Sequence, residues 1–570
     1  MRRLLWFAPA LFVLVAAAAA PAQTPVLRLI PDEAHFVVVA PRPAAIARIL
    51  EEHPVAKEIR GLELIQALYD NSKYRRLDQL IAYFEKKLDR PRGKIFEDLT
   101  TGGVALGVRI GDKPAVIAAL QASDEKFLAS VVQESLELIN QELERQEIKE
   151  RIGKASHGKT ETHRFAGFHL AQVGRFLLFS NEEAFLNKAI DLARDDAATT
   201  KGSILSRLPA RERGKDVLLW GWLDFETVQK DKKFADGFKA ATTDPFLQLL
   251  AGGFLNVLKR TPSIEFELLA EGKDFRFRID MPRGVKGMSD LAKSFVATDE
   301  KPLLPPLNPP RVLSSTTWTF DVGTLWKNKK AWLGDEAEKQ FAMAETAVKP
   351  FLGGQTLSEL LEGAGWNQRI VLAEEGKSPY KITPALHITP FGVVFDMRDE
   401  RFGKTMNKLL RAGALVASFK FGLKMREETH NGQPIVCYYF DETKKVAEDA
   451  NNLRFNFSPS FAIVGKSLIA ASTAELARDL VDCVTKEDKA LAAGVSWRTD
   501  LHAAGLAANL EFVRKDLLTA TILDQGLPPA EAKKQLESLT ELVRSLGTLQ
   551  WQIRYGADDY RMDFHWKYKK

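Results

Sequence analysis

The chain contains one strand–turn–helix pattern twice, about 290 residues apart. The segment VGRFLLFSNEEAFLNKAIDLA spans Val173–Ala193, and VGKSLIAASTAELARDLVDCV spans Val464–Val484. The two align without gaps, and their apolar residues coincide at the spacing of one helix face. This match predicts an internal duplication, which limits the chain to folds that can be built as two similar halves.

Further segment pairs follow in the same order along both halves, which distinguishes a duplication from a chance match. They are Leu99–Val108 with Leu361–Val371, Ala122–Val132 with Met397–Asn407, Trp220–Val228 with Ala507–Lys515, and Ile264–Met281 with Leu549–Trp566. The members of the last pair are alternating runs broken by a Gly-containing turn, a pattern typical of a β-hairpin.

The segment KPLLPPLNPPRVL, Lys301–Leu313, separates the two halves. Its five prolines disfavour helix and cannot serve a central strand. We interpret residues 301–312 as a Pro-rich, semi-rigid linker between a first repeat domain, 23–300, and a second, 313–570. Short turns between strands favour antiparallel pairing. The predicted fold is therefore α+β, with two tandem similar domains, each a mainly antiparallel sheet covered by amphipathic helices.

The first residues have the pattern of a secretory signal. Arg2 and Arg3 precede an apolar run, Leu4–Ala20, and Ala20 and Ala22 form an A-x-A cleavage site. We predict that residues 1–22 are a signal peptide and that the protein is periplasmic or secreted, with no stable transmembrane helix after cleavage. Because the apolar run of about 17 residues is at the lower limit for spanning a bilayer, an uncleaved anchor remains an alternative.

Charge and cysteine content exclude two classes of protein. The 80 basic and 75 acidic residues give a formal charge of +5 without a long basic block, so nucleic acid is not an expected partner. Cys437 and Cys483 are the two cysteines, too few for a disulfide scaffold. The sequence leaves open whether they are bonded to each other.

Glycine-containing segments suggest nucleotide binding but fail on spacing. GKS occurs at Gly376–Ser378 and Gly465–Ser467, but Val371 and Ser460 stand where a phosphate-binding loop needs its first glycine. The glycines of Thr100–Gly111 are not in G-x-G-x-x-G order and favour a strand closely approached by a neighbour. We predict no nucleotide cofactor.

Histidines recur every six residues at His157, His163 and His169. In an extended strand six residues cover about 20 Å, so the three rings could meet one metal ion only if the chain folded back twice. The second half has no equivalent set, and HExxH and CxxC motifs are missing from the sequence. We predict neither a metal site nor a cofactor.

Acidic and hydroxyl residues mark the starts of helices in both halves, and we interpret them as caps instead of catalytic groups. These signals are Ser180 with Glu183, Ser472 with Glu475, Asp124 with Glu125, and Asp399 with Glu400. Since there is also no G-x-S-x-G elbow, we nominate no catalytic residue.

Tryptophans occur in pairs on predicted strands. Trp220 and Trp222 share one strand face, and Trp551 and Trp566 lie in the last predicted hairpin. Such aromatic side chains either belong to the core or stack against an apolar ligand or a sugar. Core packing is the preferred interpretation.

The segment LRLIPDEAHFVVVAPRPAAIARIL, Leu27–Leu50, follows the predicted signal peptide. Together with the repeated strand-then-helix units, it resembles an uncharacterised family of secreted bacterial proteins that carry an internally duplicated domain of unknown function. The resemblance implies an extracytoplasmic α+β protein and supplies no activity.

These observations predict a non-enzymatic, exported binding or structural module of the cell envelope, with an unknown envelope protein or an apolar ligand as partner. A carrier of a lipid or another apolar ligand, with a pocket between a curved sheet and helices, is the alternative. A hydrolase with an unrecognised site is the second alternative. The sequence does not identify the ligand or the oligomeric state.

Overall fold

The computed structural model describes residues 25–569 apart from 63–64, 67–68, 70, 149–150, 196–200, 210–212, 351, 375, 447–448, 450 and 487–489. The predicted signal peptide, residues 1–22, lies outside the described residues. Helices are mixed with antiparallel strands, which confirms the predicted α+β class. Among the described residues, no helix combines the length and apolarity that crossing a membrane requires.

The chain divides into two compact units. Unit 1 comprises Met1–Lys232 and Pro262–Ile279, and unit 2 comprises Lys233–Thr261 and Asp280–Lys570. The predicted linker, residues 301–312, thus falls within unit 2, where Leu303 and Leu307 are buried. The domains 23–300 and 313–570 are inferred from the repeated sequence segments, and that division stays a prediction.

The strands of unit 1 are rich in β-branched and aromatic residues, as in FVVVA of the first. They are β1 Phe36–Ala40, β2 Val104–Arg109, β3 Ala115–Gln121, β4 Gly153–His157, β5 Thr160–Phe165, β6 Phe168–Val173, β7 Phe176–Ser180, β8 Val217–Asp224, β9 Ser263–Glu271 and β10 Asp274–Met281. The strand order is β10-β9-β8-β1-β2-β3-β7-β6-β5-β4, and the pairs from β9 to β4 are antiparallel.

The helices of unit 1 connect these strands. They are α1 Pro43–Glu52, α2 Pro54–Gly61, α3 Ser72–Leu88, α4 Arg92–Leu99, α5 Glu125–Arg145, α6 Glu183–Arg194 and α7 Phe225–Lys230, with 3-10 helices at Pro25–Leu29 and Ile204–Ser206. The first 3-10 helix and the apolar face of α6 cover one face of the sheet and form the main core of the unit. Gly107 of β2 permits this contact, since a Cβ there would lie 2.5 Å from the Ile30 side chain.

Unit 2 has its own antiparallel sheet. Its strands are β11 Val312–Thr319, β12 Ala364–Ala373, β13 Phe391–Met397, β14 Leu423–His430, β15 Gln433–Phe440, β16 Ser460–Val464, β17 Ser467–Ala471, β18 Val495–His502, β19 Thr548–Tyr555 and β20 Tyr560–Lys567. The strand order is β20-β19-β18-β11-β12-β13-β17-β16-β15-β14, with antiparallel neighbours throughout.

Unit 2 contains the longest helix found among the described residues. Its helices are α8 Lys232–Thr243, α9 Pro245–Arg260, α10 Asp290–Lys293, α11 Val322–Lys327, α12 Lys329–Val348, α13 Leu357–Glu362, α14 Glu400–Phe421, α15 Ala474–Thr485, α16 Ala503–Phe512, α17 Arg514–Gln525 and α18 Pro529–Ser545, with a 3-10 helix at Leu453–Asn456. Helix α15 and Leu307 pack against Val371 and Val394 of the sheet. Cys437 and Cys483 are free thiols in this core.

The predicted hairpins are confirmed, but one predicted segment pair is wrong. Strands β9–β10 and β19–β20 form the two hairpins. The pairing of Trp220–Val228 with Ala507–Lys515 fails because Trp220 lies in a strand, β8, whereas Ala507 lies in a helix, α16. The two segments share a short apolar–acidic pattern that does not by itself specify helix or strand.

The helix caps were predicted correctly where the cap is Asp and wrongly where it is Ser. Asp124 accepts a hydrogen bond from Phe127 N, and Asp399 accepts one from Arg401 N. Helix α15 is capped instead by Thr473, because the Ser472 hydroxyl accepts a hydrogen bond from Phe391 N of a neighbouring strand. At α6, Ser180 accepts a hydrogen bond from Glu182 N, and the cap position, Glu182, makes no side-chain cap.

Candidate apolar ligand-binding surface

One face of the unit 2 sheet is apolar across neighbouring strands. Because side chains alternate between the faces of a strand, the register assigns each residue to a face. Residues of six strands form three rows on this face, which we call the open face. The rows are Phe391, Leu372, Ser314, Leu501, Leu549 and Trp566; Val393, Ile370, Thr316, Thr499, Trp551 and Phe564; and Phe395, Gln368, Trp318, Trp497, Ile553 and Met562.

Large apolar side chains of the open face are exposed to solvent. Between 37% and 43% of the surface of each remains accessible. These residues are Ile370, Leu372, Phe391, Phe395, Leu501 and Leu549. On the opposite face of β12 and β13, by contrast, Val371 and Val394 are fully buried. Contiguous exposed apolar surface of this kind is typical of a binding site in a soluble protein.

An aromatic stack crosses the open face. The ring centroids of Trp318 and Trp497 are 5.6 Å apart, those of Trp497 and Trp551 are 5.8 Å apart, and those of Trp551 and Phe564 are 5.5 Å apart. These spacings are those of interacting aromatic pairs, which hold each other in place. The stack therefore forms a preformed apolar surface against which a ligand can pack.

Several polar groups of the open face are already hydrogen-bonded within it. The hydroxyls of Thr316 and Thr499 lie 2.9 Å apart, and Trp497 Nε1 donates to Thr499 Oγ1 over 2.9 Å. Trp566 Nε1 donates to the Leu546 carbonyl at the end of α18. The surface consequently favours a ligand portion that makes apolar contacts and needs few hydrogen bonds.

The opposite face, which we call the covered face, is polar along the central strand β11. Ser315, Thr317 and Thr319 alternate on this face and are buried, and none of the three hydroxyls has a hydrogen-bond partner among the described residues. On the next strand Asn367 accepts a hydrogen bond from Leu304 N of the Pro-rich segment. Burial raises the pKa of Asp396, whose carboxylate lies near Asn367.

The sequence-predicted histidines do not converge. The chain does fold back twice, as β4, β5 and β6, but His157 pairs with Thr160 and His169 pairs with Arg164, about 13 Å along β5. His163 points to the other face of β5. Among the described residues, no group of three or more His, Cys, Asp and Glu side chains could hold a metal ion.

Histidine–carboxylate pairs occur elsewhere. His387 Nε2 lies 2.9 Å from a Glu374 oxygen, and Asn509 Nδ2 donates to the other oxygen of the same carboxylate. Burial opposes ionisation of Glu374, but these hydrogen bonds outweigh it and lower the pKa of the carboxyl. The His387 ring stacks on Phe512. In the part of the chain that the structure describes, the ring makes no hydrogen bond to a serine or cysteine side chain.

The two GKS segments have structural roles. Gly465 and Lys466 form the turn between β16 and β17, as expected from their place between strands. The amides of Gly376 and Lys377 donate to the Glu475 carboxylate, which also pairs with Arg311. An internal carboxylate therefore already occupies the position at which a phosphate would have to bind.

The tryptophan pairs differ in their surroundings. Trp220 and Trp222 are buried in the core of unit 1, beneath the 3-10 helix Pro25–Leu29. Trp551 and Trp566 belong to the open face of unit 2 and are only half-buried. The structure thus places one predicted pair in the core and the other on the candidate surface.

Sequence reasoning missed the open face as a whole. Strand β12 reads AGWNQRIVLA, with large side chains at successive positions, so alternation does not show which face stays exposed. The register that joins Leu372 to Leu501 and Leu549 links residues far apart in sequence. The half-exposed tryptophans of the last hairpin were the one available signal.

The chain matches no family model and no curated protein. Among solved structures it is similar to TP0453 in three crystal forms. Form III has a TM-score of 0.22 at 11% identity and covers 48% of this chain and 83% of TP0453. Form I has 0.20 at 12%, covering 48% and 82%, and form IV has 0.21 at 10%, covering 46% and 81%. Likeness at these TM-scores carries no inference for this chain.

Proposed function

We propose that this chain is a non-enzymatic, exported protein that binds an apolar ligand, such as the acyl chain of a lipid, on the open face of unit 2. The observation that carries the proposal is the set of exposed apolar side chains on β13, β12, β18 and β19, which the register joins through Ser314 of β11. Covering such a surface removes apolar area from water, which stabilises a complex by about 25 cal/mol per Å².

The composition of the open face favours an acyl chain over a protein partner. A protein segment brings backbone N–H and C=O groups that must stay hydrogen-bonded when they are buried. The two threonines and Trp497 already use their polar atoms within the face. An acyl chain has no polar groups along its length, so it loses no hydrogen bonds to water when the open face covers it.

The hydrolase alternative has less support. The Glu374–His387 pair orients a histidine, but the described residues place no serine or cysteine nucleophile against that ring. The other histidine–carboxylate pairs of the described residues have the same composition; they are His157 with Asp191, His163 with Glu161 and His430 with Asp482. A carboxylate-paired histidine without a nucleophile or metal is not a hydrolytic site.

We also propose that the two halves are similar domains produced by duplication. The support is that the strand order of unit 1, read from β10 to β4, has the same sequence of connections as that of unit 2, read from β20 to β14. On this basis the counterpart of β8 in the second half is β18. The segment Ala507–Lys515, which follows β18 in the chain, is not the counterpart. The predicted export signal, residues 1–22, supports location in the cell envelope.

A fatty acid brominated in mid-chain tests the ligand proposal, because bromine quenches tryptophans in contact with it. We expect saturable quenching of the wild-type chain. Leu372→Glu places a carboxylate in the first row of the open face and should weaken binding at least about tenfold, because burying a charge against an acyl chain is costly. Leu372 is partly exposed, so the variant should keep its fold, which circular dichroism will verify.

Leu523→Glu is the matched control, because Leu523 on α17 is exposed and lies outside the three rows. Its affinity for the brominated acid should equal that of the wild type. If the wild type is not quenched, or if Leu372→Glu binds as tightly as Leu523→Glu, the ligand proposal is wrong.

A further inference from the structure

The turn between α14 and β14 forms a corner with one packed side and one exposed side. Helix α14 ends at Phe421, Gly422 adopts a left-handed conformation with φ of 69°, and β14 begins at Leu423. Leu410 and Ala414, on the inner side of the helix, pack against a cluster of Val436, Tyr438 and Phe461. The inner side therefore anchors the corner to the sheet of unit 2.

The outer side of this corner is apolar. Leu415 is 61% exposed, Val416 72%, Phe419 79% and Met425 55%. The Arg411 guanidinium, one turn before Leu415, lies 3.6 Å from the Met425 sulfur and links the helix part to the strand part. We call these four exposed residues the apolar corner.

Basic residues surround the apolar corner. Residues 399–428 contain seven basic and four acidic side chains, an excess of three positive charges. Lys408 lies about two turns before Leu415 and is exposed. Lys424 precedes Met425 and pairs with Asp441 over 2.8 Å, and Lys444 donates to the Phe419 carbonyl. Lysine side chains can extend to a charged surface while the apolar residues between them are buried.

We propose that the apolar corner docks the protein on an anionic lipid bilayer. Leu415, Val416 and Phe419 would enter the boundary between headgroups and acyl chains, and the surrounding lysines would contact anionic headgroups. An anionic surface attracts basic residues that lie close to it, so the charge excess adds to the apolar contacts. Docking at this corner does not require that the open face bind a ligand.

The corresponding corner of unit 1 has the opposite character. Helix α5, which like α14 starts at an Asp cap after a central strand, ends in charged and amide side chains before β4. The exposed ones among the described residues are Glu137, Gln141, Glu144, Arg145, Gln146, Glu147 and Arg151. No large apolar side chain is exposed among the described residues of this corner, so unit 1 does not share this surface. The same place in two similar sheets thus carries an apolar, basic corner only in unit 2.

Sedimentation with vesicles tests the docking proposal. The chain recovered from an exporting host is mixed with vesicles of phosphatidylglycerol and phosphatidylcholine, or of phosphatidylcholine alone. We expect binding to the anionic vesicles that weakens with added salt. The double variant Val416→Ser, Phe419→Ser should bind at least about tenfold less. Lys408→Glu should reduce binding to anionic vesicles by a smaller factor.

Leu523→Ser is the control, since it removes an equally exposed apolar side chain elsewhere in unit 2. It should sediment as the wild type does. Every variant has the same N-terminus, so binding by an uncleaved signal segment would contribute equally to all of them. The proposal is overturned if the wild type does not bind anionic vesicles or if the double variant binds unchanged. It is also overturned if the double variant instead dissociates a dimer in analytical ultracentrifugation, because a second copy would then cover the corner. The quenching experiment on the open face uses no vesicles, so the two proposals fail independently.

Discussion

The covered faces of the two units are built from different chemistry on the same arrangement of strands. In unit 1 the central strand β1 presents Val37 and Val39, which pair with Trp222 and Trp220 of β8. In unit 2 the central strand β11 presents Ser315 and Thr317, which pair with Asp500 and Arg498 of β18. These positions thus form an apolar core in unit 1 and a polar layer in unit 2.

The segments that cover these faces differ in the same way. Unit 1 uses a 3-10 helix that buries Val26, Leu27 and Leu29 in one continuous core. Unit 2 uses the Pro-rich segment, whose Leu303 and Leu307 lie in separate clusters. The strand order therefore does not require an apolar centre. We expect unit 1 to depend on packing and unit 2 to depend more on charged and polar groups.

The largest expected effect is loss of packing in unit 1. Trp222→Ala should lower the local stability of unit 1 by about 3 to 5 kcal/mol, because a buried indole leaves a cavity. Hydrogen exchange measured by mass spectrometry on peptides of β1 and β8 reports this locally. Trp318→Ala on the half-exposed open face is the control and should cost unit 2 only about 1 to 2 kcal/mol. Equal losses would mean that the two faces do not differ as described.

A smaller effect is expected from acid, and in unit 2. Burial opposes ionisation of Asp321, but hydrogen bonds from Lys301, Thr324 and Arg398 outweigh it and lower the pKa from 3.8 to about 2. A lowered folded-state pKa gives a contribution that is present above about pH 4 and lost as the pH falls through about 2. The shift corresponds to about 2 kcal/mol.

Asp321→Asn should remove this acid dependence and lower the stability of unit 2 at neutral pH by about 2 kcal/mol. In unit 1 the helix after the central strand, α1, has Arg42 at its N-cap position, and the Arg42 side chain makes no cap hydrogen bond. Unit 1 therefore has no equivalent carboxylate at that position. Hydrogen exchange of β11 at pH 7 and pH 3 is the measurement. An unchanged pH dependence in the variant would show that other carboxylates control acid unfolding.

The smallest expected effect is a gain. Thr317→Val removes a buried hydroxyl that has no partner among the described residues and should stabilise unit 2 by about 1 kcal/mol. The reverse change in unit 1, Val39→Thr, should cost about 1 to 3 kcal/mol because it buries a hydroxyl in an apolar core. Denaturant midpoints of both variants test this. Loss of stability in Thr317→Val would indicate that the hydroxyl is hydrogen-bonded, for example to water.

Local sequence signals were sufficient for elements whose contacts are near in sequence. The hairpin β19–β20 was predictable because alternation and turn lie within 20 residues. The Asp124 and Asp399 caps were predictable because a carboxylate at a helix start satisfies nearby amides. The Ser472 cap was not, because a distant strand claims its hydroxyl through Phe391 N.

Features that depend on long-range register could not be read from the sequence. Strand β18 contains polar and charged residues because one of its faces belongs to the polar covered layer, so its pattern does not resemble that of β8. For the same reason the apolar residues of the open face appeared to be ordinary core residues. Their exposure follows from which helices cover the sheet, and local periodicity does not specify this.

The placement of the two thiols has a practical consequence. Both cysteines of the chain belong to unit 2, and burial raises the pKa of Cys437 and of Cys483, so each reacts slowly while the unit is folded. Alkylation of Cys437 by a small maleimide therefore requires opening of the β15 region. The native thiols therefore report the opening of unit 2 without an added label. They give no signal when unit 1 opens.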